Sequence, residues 1–241
     1  MLNVLDPADQ KVAIITGASQ GIGAGLVSAY RELGYAVIAN ALSITPSQDP
    51  GIVGIAGDVA DPDTARRAVS AAVERFGRID TLINDAGVYI GKPFTDYTQQ
   101  DFDALVAVNL AGFFHMTART IEQMLDQGNG HVVNVSTTLV EQADQSRPAA
   151  LSVLTKGGLV AATRSLAVEY GSRGLRVNAV SLGVIKTPAH DDSSYAGMGA
   201  LHPIGRVGEV EDVVGGVLYL ESAPFVTGEI LHIDGGQSAG H

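Results

Sequence analysis

Thr16-Gly17-Ala18-Ser19-Gln20-Gly21-Ile22-Gly23 follows the apolar run Val12-Ala13-Ile14-Ile15 and precedes a segment that reads as a helix, Ala24 to Leu33. A short apolar strand, a glycine-rich turn and a helix, in that order, make a cradle for a dinucleotide pyrophosphate. The glycines let the backbone turn tightly and approach the phosphates, and the helix N-terminus offers free N–H groups and a partial positive charge. The spacing is Gly-x-x-x-Gly-x-Gly rather than the commoner Gly-x-Gly-x-x-Gly. An ordinary strand-to-helix turn carries the same residues, so the meaning of the stretch rests on its surroundings.

Outward from this turn, residues 1–10 read as a lead-in arm and Lys11–Ile15 as the first strand, apolar throughout as for a strand buried on both faces. The following helix carries Ile22, Leu26, Ala29, Tyr30 and Leu33 at helical spacing and stops at Gly34. Strands are predicted at Ala36–Asn40, Ile52–Ala56, Thr81–Ile83, Gly130–Ser136, Arg176–Ser181 and Glu229–Ile233. Helices are predicted at Pro62–Phe76, Thr98–Ala118 (as one or two pieces, running on as far as Leu125), Leu151–Tyr170 and Val210–Leu220, with a polar lid at Thr187–Pro203. Strands alternate with helices from end to end, which predicts an α/β fold with helices on both faces of a parallel, roughly seven-stranded sheet. No linker-like run divides the chain, so residues 1–241 are expected to form a single domain.

Composition narrows the function. The chain has 241 residues, 46% hydrophobic, with 29 glycines and no cysteine, so disulfides, thiolate metal sites and a cysteine nucleophile are excluded. A net charge of −11 disfavours nucleic acid and anionic membrane as partners. The N-terminus has no signal-peptide core, and no apolar run is expected to approach a membrane span, so the protein is expected to be cytoplasmic. The six histidines show no close metal-ligand spacing, and no Gly-x-Ser-x-Gly elbow occurs.

Taken together, the motifs resemble those of the short-chain dehydrogenase/reductase superfamily, Rossmann-type oxidoreductases that use NAD or NADP. The resemblance covers nearly the whole chain. It rests on Thr16-Gly17-x-x-x-Gly21-x-Gly23, Asp58-Val59, Asn84-x-Ala86-Gly87, Val108-Asn109-Leu110, Asn134-Val135-Ser136, Lys156, Arg176-Val177-Asn178-Ala179-Val180, Phe225-Val226-Thr227-Gly228 and Asp234-Gly235-Gly236. It implies that Gly17, Gly21, Ile22 and Gly23, with Ser19 and Gln20, hold the pyrophosphate. Asp58 would accept from the adenine amino group and Val59 would flank the ring. Asn84, Ala86 and Gly87 would line the path to the nicotinamide ribose, and the backbone from Gly183 through Ile185 to Thr187 would cover the nicotinamide. An acid at the end of the second strand selects NAD and a base there selects NADP. The stretch Asn40-Ala41-Leu42-Ser43 has neither, and the choice between NAD and NADP stays open.

The same resemblance exposes a departure. The family works with a Tyr-x-x-x-Lys pair, a serine on the preceding strand and an asparagine one helix earlier. The tyrosine is the acid, the lysine lowers its pKa and holds the ribose, the serine bonds the substrate oxygen and the asparagine holds a relay water. Here Lys156 and Asn109 are present, but Ser152 stands where the tyrosine is expected, and Thr137 falls at the serine position with Ser136 and Thr138 as alternatives. Leu182-Gly183 replaces Pro-Gly, and Asp85 replaces the second asparagine of Asn-Asn-Ala-Gly. A serine hydroxyl is a poor general acid.

Three functions follow. One is an oxidoreductase acting on a small or medium ketone or alcohol through a modified proton route, by way of Ser152 and Lys156, or with Tyr89, Tyr195, His190 or His202 as substitutes. Another is a reductase of C=N or activated C=C bonds, for which Glu141, Asp144 and Asp85 would favour a cation. The last is a silent dinucleotide-binding sensor or assembly protein. The segment Glu141–Pro148 and the lid are expected to shape the pocket. The resemblance further implies a homotetramer built on the helices from Phe102 and Leu151 and on the final strand.

Overall fold

The computed structural model describes residues 10–188, 195 and 197–240. Residues 1–9 of the lead-in arm, and residues 189–194 and 196 of the expected lid with His190 among them, fall outside the described residues. Seven parallel strands form one sheet in the order β3-β2-β1-β4-β5-β6-β7. They are β1 (Val12–Thr16), β2 (Ala36–Ala41), β3 (Ile52–Ala56), β4 (Thr81–Asn84), β5 (Gly130–Thr137), β6 (Leu175–Leu182) and β7 (Ile230–Ile233). Every residue of β1 is buried, as its apolar run requires. The sheet meets the expectation in the number, direction and chain order of its strands, with ends displaced by at most one residue.

Alternation along the strands sorts the core into two layers. Val12 and Ile14 face one side with α2 (Pro62–Phe76), α4 (Phe113–Gln127) and α5 (Ala150–Tyr170). Ala13 and Ile15 face the other with α1 (Gly21–Glu32) and α6 (Val210–Ser222). This is the three-layer Rossmann-type arrangement. Local chemistry sets the helix ends. In α2 the Asp61 carboxylate caps the Asp63 N–H, proline occupies the first turn and Gly77 closes the helix at φ 79°. Before α4 the chain forms α3 (Gln99–Leu105), begun by a Thr98–Asp101 capping box.

Between α3 and α4 lies a π-helical stretch, Val106–Gly112, where an α-helix was expected. Such bulges cluster at functional sites, and this one carries the buried Asn109. The continuous helical run Gln99–Gln127 is long and apolar enough to cross a membrane by length and composition, against the expectation that no segment would be. Its inward residues Met116, Ile121 and Met124 pack into the sheet core, so we read it as a core helix. Leu33, expected on the buried face of α1, is instead exposed, because α1 ends before it.

The chain runs outward from β1 to β2 and β3, then returns to β4 on the other side of β1. That reversal opens a crevice at the carboxyl ends of β1 and β4, where open α/β sheets bind ligands.

Candidate active site

The crevice holds a cavity of about 550 Å³ lined by Gly17, Ser19, Gln20, Gly21, Ile22, Asn40 to Ser43, Gly57, Asp58, Val59, Asp85 to Val88, Val108 and Thr187. Gly17 and Gly21 have φ of 70° and 54°, a region that side chains disfavour. A Cβ on Gly17 would stand 3.0 Å from the Ala86 nitrogen, and one on Gly21 3.2 Å from Thr187 Cβ. The turn is thus a cradle that any side chain would fill. Helix α1 opens behind it with no side-chain cap from Gln20 and no acid in its first turn, which leaves its terminal N–H groups for an anion.

Two expected cradle residues sit elsewhere. Gly23 is not among the lining residues. A Cβ there would stand 2.3 Å from the Gly17 carbonyl oxygen, so its role is close packing of α1 under the turn. Asn84 points away from the crevice. Its Nδ2 donates to Thr117 Oγ1 and Asn134 Oδ1 at 2.9 Å each, and Asn134 donates on to Thr163 Oγ1. Asn84 therefore ties β4 to β5 and α4 rather than lining a ribose path. Ala86 and Gly87 do line the cavity. Asp58 is exposed at its rim and holds its own loop by accepting from the Ala60 N–H. No lysine or arginine lines this cavity among the described residues. Arg31 is held by Asp49 at 2.8 Å, and Lys11 stacks over Tyr35.

A second cavity, about 510 Å³, adjoins the first through the shared Val88. Its wall includes Tyr89, Ser136, Thr137, Leu139, Arg147, Lys156, Leu182, Gly183, Ile185, Tyr195 and Met198. Thr137 and Ser136 both reach it. Thr138 does not, because its hydroxyl turns to Leu182 O and Gln237 Oε1. Lys156 Nζ donates to Val135 O at 2.8 Å and lies against Gly87, where a Cβ would stand 2.7 Å away.

Ser152 is not at the cavity. It is buried, its hydroxyl donating to Ile90 O and accepting from Ile90 N, both at 2.9 Å. Its single proton is committed to the backbone, which overturns the expectation of a Ser152–Lys156 relay. Asn109 is likewise closed, bonding Val88 N and O and Thr155 Oγ1. In this structure it fixes the segment between the two cavities.

Burial governs the charges. Burial pushes the Asp85 carboxyl up to about 7, against the pull of Lys156 and the Gly23 N–H. Burial lowers the Lys156 ammonium to about 8, with Asp85 opposing. Glu141 accepts from Ser181 Oγ, and Asp144 is held by the backbone and hydroxyl of Ser146. Neither lines the second cavity. His202 accepts from the Val184 N–H and is buried. No group of His, Asp and Glu that could hold a metal occurs among the described residues. Sequence reasoning missed Arg147 altogether. Its only signal was a place inside the Glu141–Pro148 segment expected to shape the pocket.

The chain matches a family model described as enoyl-(acyl carrier protein) reductase over residues 17–238. It is 34% identical to the 3-oxoacyl-acyl-carrier-protein reductase FabG of Thermotoga maritima, covering 94% of this chain and 97% of that one. It is 35% identical to the D-threitol dehydrogenase of Mycolicibacterium smegmatis, covering 95% and 93%. Among solved structures, a 3-ketoacyl-(acyl-carrier-protein) reductase from Brucella melitensis complexed with NADH superposes with a TM-score of 0.87 at 26% identity, over 97% of this chain and 100% of that one. ElxO with NADP bound superposes with a TM-score of 0.88 at 27% identity, over 96% and 99%.

Proposed function

Since the chain belongs to the short-chain dehydrogenase/reductase superfamily and is an NAD(P)-dependent oxidoreductase, we propose that it moves hydride between the nicotinamide and a small or medium ketone or alcohol. One observation carries this reading. A glycine cradle at a helix N-terminus and a cavity holding Lys156, Thr137 and Ser136 meet at Val88. A dinucleotide bound in the first would have the second beside it, where a substrate would meet its reactive ring. The bound cofactor would supply the hydride. Gly17, Ser19, Gln20, Gly21 and Ile22 would hold its phosphates, and Asp58 and Val59 would take the adenine. Ala86, Gly87 and Lys156 would take the nicotinamide ribose, and Gly183, Ile185 and Thr187 would cover the ring.

Thr137 and Ser136 offer hydroxyls to a substrate oxygen, in a wall that also carries those of Tyr89, Ser146 and Tyr195. The proton comes from Lys156. An ammonium near 8 is matched to neutral pH, which a serine hydroxyl is not. The second cavity is lined by no carboxylate among the described residues, so it gives no support to reduction of a cationic C=N bond. Exposed Phe114, Leu154 and Val168 on α4 and α5, and fully exposed Phe225 before β7, support the homotetramer.

The test has two parts. NADH and NADPH are titrated separately by nucleotide fluorescence, and a panel of ketones is then scanned with the binding cofactor. Reduction should decline as pH rises through about 8, where Lys156 loses its proton, and Lys156→Met should abolish it. Silence with both nucleotides refutes the site. Full activity in Lys156→Met refutes the proton source. Binding of a nucleotide without turnover on any carbonyl is the result that marks a silent binder.

A further inference from the structure

Lys156 and Arg147 are the two charged residues lining the second cavity among the described residues. This is unusual in a chain of net charge −11. Arg147 is partly buried, and its Nη1 is fully buried with no hydrogen-bond partner. Its guanidinium makes no ion pair among the described residues, although an acid, Asp144, stands three positions away. That carboxylate is hydrogen-bonded by the Ser146 N–H and hydroxyl, at 2.8 and 2.7 Å, and these bonds hold it below its usual range with a smaller contribution from the Arg147 charge.

A buried donor without an acceptor costs free energy, and native structures leave few of them. The remaining guanidinium nitrogens are not fully buried and make no hydrogen bond among the described residues, so in the cavity wall they form a preformed fork for an oxyanion. Resting on the reading of this cavity as the substrate site, we infer that Arg147 anchors an oxyanionic group, carboxylate or phosphate, carried by the carbonyl substrate. The substrates are thus oxo acids or oxo phosphates and the matching hydroxy compounds. The cavity, at about 510 Å³, holds a molecule of that size, with Leu139, Val184 and Met198 to pack its apolar part. In the reduction the carbonyl carbon gains hydride and the oxygen gains a proton, while NAD(P)H is oxidised to NAD(P)⁺. The anionic group is unchanged and stays paired with Arg147 throughout.

The experiment compares, with saturating reduced cofactor, 4-oxopentanoate and 3-oxobutanoate against their methyl esters, and dihydroxyacetone phosphate against dihydroxyacetone. The enzymes are the wild type, Arg147→Met, Arg147→Lys and the surface control Arg119→Met. Wild type and control should favour the anion in at least one pair by about 10- to 100-fold in kcat/KM, the worth of a charge-assisted hydrogen bond. Arg147→Met should collapse that ratio toward one, and Arg147→Lys should restore part of it. The pair that shows the preference tells carboxylate from phosphate. Equal rates within every pair in the wild type, with turnover present, overturn the inference and leave the oxidoreductase reading standing. Should no carbonyl be turned over, the same compounds are titrated against the protein–NADH complex by nucleotide fluorescence. Anions that bind no better than their neutral partners then overturn the inference independently.

Discussion

Asp85→Asn tests the electrostatics on which the site turns. The carboxyl sits behind the glycine cradle, and burial raises it from 3.8 to about 7. The folded protein therefore holds this proton more tightly than the unfolded chain. The stability tied to the bound proton is intact below about 3.8 and is lost as pH rises toward about 7. Roughly three pKa units correspond to about 4 kcal/mol, and the water-accessible side of the cavity trims that to about 2–4 kcal/mol. Asparagine keeps the shape and an acceptor for the Gly23 N–H but carries no charge. The variant should match wild type near pH 4, gain on it by at most about 1.4 kcal/mol per pH unit, and level off above pH 7. Denaturant unfolding at fixed protein concentration, from pH 4.5 to 8, reads this difference directly. A difference flat with pH shows that Asp85 does not titrate as its burial demands. The same flat difference results if the attraction of Lys156 outweighs burial, because Asp85 is then ionised in both states throughout this range. Removing a negative charge beside the cradle should also tighten cofactor binding at pH 8, by about tenfold for each 1.4 kcal/mol of repulsion relieved.

Two further substitutions separate packing from binding. Gly23→Ala puts a Cβ 2.3 Å from a backbone oxygen, so it should cost about 2–4 kcal/mol and weaken NAD(P)H binding. Gly215→Ala, at an exposed position of α6 with open space around it, should stabilise by up to about 1 kcal/mol; thermal unfolding and cofactor titration of both distinguish a steric clash from a general intolerance of glycine loss. At the amino end of the sheet Glu221 accepts from Tyr30, Tyr35, Thr81 and His131 at 2.9–3.0 Å. Burial pushes its carboxyl up, but these bonds, His131 first, hold it at about 2. Glu221→Leu should cost about 3–5 kcal/mol in denaturant unfolding while cofactor affinity is unchanged; altered affinity would show that the two ends of the sheet are coupled.

The sheet and the cradle were legible because they are written locally. Val12-Ala13-Ile14-Ile15 and the glycines after it constrain the backbone by themselves, and strand–helix alternation leaves few topologies. Side-chain direction was not legible. Asn84 and Asp85 are neighbours in the chain, yet the first turns to Asn134 within the sheet and the second lies beside the cradle. Ser152 does lie four residues before Lys156, as helical spacing demands, but its hydroxyl is captured by Ile90, a loop residue far away in sequence. The π-helical stretch around Asn109 carries no periodicity distinct from that of the flanking helices. Arg147 gains its meaning from what it lacks, an acceptor, and only three-dimensional packing reveals a missing partner.

These placements bear on how a site with Ser152 four residues before Lys156 manages its proton. Lys156 lies between opposing influences: burial lowers it to about 8, and Asp85 resists the shift. The other charged residue in the cavity wall, among the described residues, is Arg147, a cation. An oxyanion seated on Arg147 adds negative charge to the same cavity, and that change favours the ammonium form of Lys156. Substrate binding thus raises the fraction of Lys156 that carries the proton when hydride is transferred. A neutral ketone in the cavity has no such effect. The pH above which reduction declines should therefore lie higher for an oxo acid than for its methyl ester, measured as kcat on one enzyme preparation. Coincident profiles would mean that Arg147 binds without influencing the acid, and a lower value for the acid would mean that Lys156 is not the proton donor.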